Sequence, residues 1–150
     1  MQPLTIVIGV LTSITGVLVA WTAYRQYRLS AERFKLDLFE KRFAVYKGTQ
    51  VFLSHILRQA KFEIERFYQF RADTQIATFL FDDDITHYLE EIDSKACEFG
   101  GIHDDLEGVP CGPERTELCK KQTRLLTWLI DKLPELQKVF SPYLKFRTWN

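Results

Sequence analysis

Asp83, Asp84, His87 and Glu91 stand three and four residues apart in the stretch FDDDITHYLEEI, which puts two carboxylates and an imidazole on one face of a helix. That donor set suits a divalent metal. The same residues also read without a ligand: acids at a helix start complement the positive end of its dipole, Glu91 is ordinary surface, and a bound metal needs a further ligand from another element. We therefore assign no metal, and keep a metal-dependent enzyme on the Asp83, His87 and Glu91 face as an alternative. Cys97, His103, Cys111 and Cys119 lack the paired C-x2-C spacing that lets one turn donate two thiolates to zinc, so buried or spectator thiols are expected. His55 falls on the polar face of a long helical stretch with no Ser or Cys partner in view. No G-x-S-x-G, P-loop or dinucleotide fingerprint occurs. The expectation is a protein that is not an enzyme and carries no cofactor.

Composition narrows the classes further. The chain has 150 residues, and its 12 Phe, 6 Tyr and 3 Trp against 7 Gly and 5 Pro require a buried core rather than a disordered tail or a linker. Twenty basic and 20 acidic side chains cancel, which argues against a general nucleic-acid binder, since that needs a basic surplus to displace counterions from phosphates. An odd number of cysteines at irregular spacing suits a reducing compartment better than a disulfide framework.

The elements begin with an apolar run. Residues 1–24 hold no charged side chain, and residues 4–23 (LTIVIGVLTSITGVLVAWTA) reach about 30 Å as a helix, the thickness of a hydrocarbon core. Its Thr and Ser hydroxyls can return to backbone carbonyls one turn earlier. Trp21, Tyr24, Arg25, Tyr27 and Arg28 follow in the order of a membrane-interface belt. A cleavable signal peptide fits poorly, because cleavage after Ala23 or Ala20 would set Trp21 or Leu18 where a small residue belongs. The reading is a transmembrane anchor at 1–24 and a helical domain at 25–150. Arg25, Arg28, Arg33 and Lys35 beyond the run predict a short amino terminus outside and the remainder in the cytoplasm. Gly9, Ser13, Gly16 and Ala20 form a small-residue stripe suited to helix association.

From Arg25 to Arg71 no Pro intervenes, and Leu36, Phe39, Phe43, Tyr46, Leu53, Leu57, Ala60, Ile64 and Phe67 mark a heptad seam of coiled-coil type. Leu38, Val45, Phe52 and Ile56 beside it widen the apolar arc, so a bundle of several helices buries it better than a two-stranded coil. The spacing predicts the membrane helix continuing into this long helix. It also predicts a short helix within 70–81, and a further helix capped by Asp82 or Asp83 and closed by Gly100 and Gly101. A loop over 100–113 follows, then a last helix opened by Pro113 and kinked or split at Pro134. The fold class is all-α, with no period-two alternation long enough for a sheet.

The order of these features resembles a group of small uncharacterised bacterial single-pass membrane proteins with a cytoplasmic helical domain. The resemblance is carried by LFEKRFAVYKGTQVFL at 38–53, FLFDDDITHYLEEI at 79–92 and FSPYL at 140–144, with 100–113 outside it. It implies a bacterial inner-membrane location and no particular chemistry. The expected function is a membrane-tethered interaction or regulatory module whose partners are the lipid bilayer and either another protein or further copies of itself, with no nucleic acid. The alternative beside the metal enzyme is a self-assembling small membrane effector of the stress or phage-defence type.

Overall fold

A computed structural model describes the backbone of residues 2–145 and the side chains of residues 15–145, positions 31 and 107 apart. Five helices follow in chain order: α1 (Gln2–Gln59), α2 (Ile64–Thr74), α3 (Ala77–Leu80), α4 (Asp83–Gly108) and α5 (Pro113–Leu144), and the described residues contain no strand. The chain divides into two compact units, Met1–Leu38 and Phe39–Asn150.

In the second unit each helix folds back against its predecessor or near neighbour. Ala60 ends α1 in the left-handed region, with φ of 51° and its N–H donating to the Ile56 carbonyl at 2.8 Å. Such a residue turns the chain out of the helical path. α2 then runs antiparallel to α1, as its contacts record: Phe52 stacks on Phe70 at 4.6 Å between ring centroids, while Gly48 lies against Asp73 further along. α4 and α5 form a second antiparallel pair, in which Tyr88 reaches Lys132, Glu98 reaches Lys121 and the Leu106 carbonyl reaches Arg115. The core is aromatic and aliphatic: Phe70, Phe99 and Phe140 are almost fully buried with Leu53, Ile56, Ile85, Ile92, Leu129 and Leu136 between them. Each such side chain contributes about 1.5–3 kcal/mol through its removal from water. Tyr46 meets Phe140 edge-on at 5.7 Å, and Arg42 lies 5.6 Å from the centre of the Phe81 ring, so early and late segments of the unit share one core.

Several expectations are corrected. Among the described residues no helix is long and apolar enough to cross a membrane. From Thr15 only ten residues precede Arg25, about 15 Å of helix and half a hydrocarbon core; the earlier part of the run, with Gly9 and Ser13 of the association stripe, has side chains outside those described. The transmembrane anchor at 1–24, the single-pass topology and the inner-membrane location are withdrawn on that finding. The all-α class and the helical bundle stand. The helical stretch from 25 to 71, whose continuity the spacing left open, breaks after Gln59, because Ala60 takes a left-handed backbone that its side chain gave no sign of. The buried stripe of α1 is Val45, Thr49, Phe52, Leu53 and Ile56; of the heptad seam Leu53 and Phe67 are buried, while Leu36, Phe43, Leu57 and Ile64 stay exposed. Thr49 is tolerated there because its hydroxyl donates to the Val45 carbonyl at 2.9 Å.

Gly100 and Gly101 do not close α4, which continues to Gly108; a Cβ on Gly100 would meet the Phe62 ring at 2.7 Å, so this glycine is a notch for the α1–α2 turn. The loop expected over 100–113 thereby shortens to four residues, 109–112. Pro134 neither splits nor ends α5. It lies on the exposed side of the helix, where a carbonyl left without its donor can bind water. The three cysteines are exposed rather than buried.

Candidate functional site

Four residues of α1, Lys47, Gln50, Ser54 and Arg58, repeat at helical spacing on the side of α1 away from the buried stripe. The turn at Ala60 brings the start of α2 back beside them, adding Arg66, and His55 and Val51 complete the walls of an open groove of about 440 Å³. Lys47 Nζ approaches Gln50 Oε1 at 3.4 Å. His55 is largely buried, 13% exposed at its side chain, and its Nε2 lies 3.0 Å from Glu63 Oε2. That approach is an ion-pair distance without hydrogen-bond alignment, and it leaves Nε2 as a buried polar atom with no hydrogen-bond partner. Arg66 Nε stands 4.0 Å from the same carboxylate oxygen. Glu63 precedes α2 as its N-cap residue, yet its carboxylate caps no backbone amide of that helix.

The groove therefore gathers three permanent cations against one carboxylate, together with the amide groups of Gln50 and Gln59 and the hydroxyl of Ser54. Among the described residues Lys47 and Arg58 pair with no acid. Hydrogen-bond donors in this excess favour an acceptor-rich ligand.

Several other charges are matched within the fold. Arg71 donates two hydrogen bonds of 2.6 Å to the Asp93 carboxylate, and this pair raises the arginine further above its ordinary range. Lys132 lies over the rings of Trp128 and Tyr88 at 4.8 and 5.0 Å, with Glu135 and Glu91 at 3.0 and 3.4 Å. Burial pushes the Tyr88 hydroxyl well above its usual titration range, aided by Glu135 and Glu91, and this hydroxyl donates to the Lys132 carbonyl at 3.0 Å. Tyr143 donates to Asp82 Oδ2 at 2.8 Å, which raises its titration as well and occupies the carboxylate expected to cap α4. Asp82 is the N-cap residue without a side-chain cap bond.

Among the described residues no group of three His, Cys, Asp or Glu side chains comes together to hold a metal ion. Asp83, Asp84 and His87 are exposed, and Glu91 turns to Lys132. In the first unit Trp21, Tyr24 and Tyr27 are more than half exposed, and Arg25 lies 4.9 Å from the centre of the Trp21 ring. Thr22 returns its hydroxyl to the carbonyls of Leu18 and Val19 at 3.0 and 2.9 Å. Gly16 has open space where a Cβ would stand, and Ala20 is exposed. The sequence placed His55 on a polar face. The spacing of 47, 50, 54 and 58 was a visible signal, whereas the return of Arg66 depends on a turn that the sequence concealed.

Comparison with protein-family models, with curated proteins and with solved structures gives no match to this chain.

Proposed function

We propose that this chain is a helical protein-interaction module that acts by docking a partner protein rather than by catalysis. One observation carries the reading. Over residues 17–36, α1 leaves Val17, Leu18, Val19, Trp21, Tyr24, Tyr27, Leu29, Phe34 and Leu36 exposed by about half or more of their surface. Apolar surface costs on the order of 25 cal/mol per Å² while it faces water, and large apolar side chains exposed all round a helix favour a covering partner. Trp and Tyr interleaved with Arg25, Arg28 and Arg33 is also the composition in which binding energy concentrates at protein interfaces.

The test is purification of the tagged full chain after mild cross-linking, with complex members identified by mass spectrometry and detergent-phase partitioning run in parallel. Recovery of one other protein in fixed ratio, lost when Trp21, Leu29 and Phe34 are all changed to Ser, supports the proposal. Recovery of the chain alone, as monomer or in the detergent phase, would overturn it. A defined oligomer of the chain with no second protein would replace the partner by a second copy and overturn the docking of another protein.

A further inference from the structure

We infer that the groove between α1 and α2 binds a small molecule carrying a chain of phosphates. This inference is independent of the docking surface over residues 17–36, because it rests on side chains of the second unit. The charge comes first. Lys47, Arg58 and Arg66 line the groove, Glu63 stands 4.0 Å from Arg66, and neither Lys47 nor Arg58 has an acidic partner among the described residues.

Length selects the ligand. Lys47 and Arg58 are eleven positions apart on one helix, roughly 16 Å along its axis, so a single phosphate cannot engage both, while their long side chains can converge on two or three linked phosphates. Arg58, Arg66 and His55 form one end of the groove and Lys47 with Gln50 the other. The groove volume of about 440 Å³ lies in the range of small-ligand sites and exceeds what a phosphate chain fills, which leaves room for an organic group beside Val51. An acidic peptide would present single charges spaced by uncharged backbone. A phosphate chain supplies the denser acceptor array that three cations and a ring of amide and hydroxyl donors match.

The experiment is isothermal titration of the full chain with inorganic tripolyphosphate, against inorganic phosphate and a short poly-glutamate peptide, at one ionic strength set with sodium chloride so that general screening is constant. The expected result is saturable binding of one tripolyphosphate per chain, weakened about tenfold or more by Arg58→Gln and by Lys47→Gln, as loss of a charge-assisted hydrogen bond implies. Lys120→Gln, on α5 and paired with Glu117, should leave binding unchanged. Lys47 and Arg58 are exposed, so their variants are expected to keep the circular dichroism and thermal midpoint of the parent. Absence of saturable binding, equal affinity for inorganic phosphate, tighter binding of poly-glutamate, or indifference to Arg58→Gln in a folded variant would each overturn the inference.

Discussion

Ala60 is a methyl-bearing residue held where glycine is at ease, and among the described non-glycine residues it alone has a positive φ. A left-handed backbone costs an L-residue on the order of 1–2 kcal/mol, part of which a glycine recovers after its greater freedom in the unfolded chain is subtracted. Ala60→Gly is therefore expected to raise stability by about 0.5–1 kcal/mol. Chemical denaturation measures it, and a lowered midpoint would mean that the turn is not left-handed in solution. The same residue explains a gap between sequence and fold. Alanine is a strong helix former, so local preference argued for continuation at 60, and only the burial of Phe67 and Phe70 against Phe52 rewards the reversal. Arg66 joins the groove through that reversal. The whole stripe it faces, Lys47, Gln50, Ser54 and Arg58, was written in the spacing of one helix, while the opposing wall was not.

Adjacent glycines in α4 have opposite duties. Gly100 is buried under Phe62, whose ring atoms would stand 2.7–2.9 Å from an added Cβ, whereas Gly101 is exposed with nothing within 4 Å. Gly101→Ala should stabilise by about 0.5–1 kcal/mol through helix propensity alone. Gly100→Ala gains the same propensity but forces the ring from its notch, and a net loss of about 1–2 kcal/mol is expected from such overpacking. Thermal unfolding of the two variants side by side checks the contrast; stabilisation by both would show that Phe62 does not dock on α4. Two glycines in sequence look like a helix stop, since the left-handed conformation they permit and the close approach they permit call for the same residue. The start of α5 at Gly112 and Pro113, and of α4 at Asp82, were legible because proline and acids serve helix beginnings in ways that need no tertiary partner.

The whole molecule carries equal numbers of acidic and basic groups, so its response to acid depends on how particular carboxylates are engaged rather than on accumulated charge at neutrality. Glu98 joins α4 to α5: hydrogen bonds from Lys121, and then from Lys95, hold its carboxyl below the ordinary value of 4.5. A depressed folded value means that the folded state binds the proton less readily than the unfolded chain. The contribution is thus complete above pH 4.5 and disappears as pH falls through the depressed value. Glu98→Gln should be less stable than the parent at neutral pH, with the two converging in acid and with a smaller difference in high salt, because the pair is exposed to screening. Denaturation midpoints across pH and salt test this, and a difference that persists unchanged below the depressed value would assign the loss to packing instead. The helical class was legible at this scale because apolar spacing follows each helix by itself. The membrane reading was less secure, because an apolar run records what a segment avoids and not what finally covers it. The contact of Tyr46 with Phe140, and of Phe81 with both Phe140 and Tyr143, has a consequence in time. A polypeptide is synthesised from its amino end, so the aromatic face around Tyr46 waits for Phe140 through nearly a hundred further residues, roughly 5–20 s at 5–20 residues per second. During that interval it is a target for chaperones, and the late turns of α5 convert it from client to core.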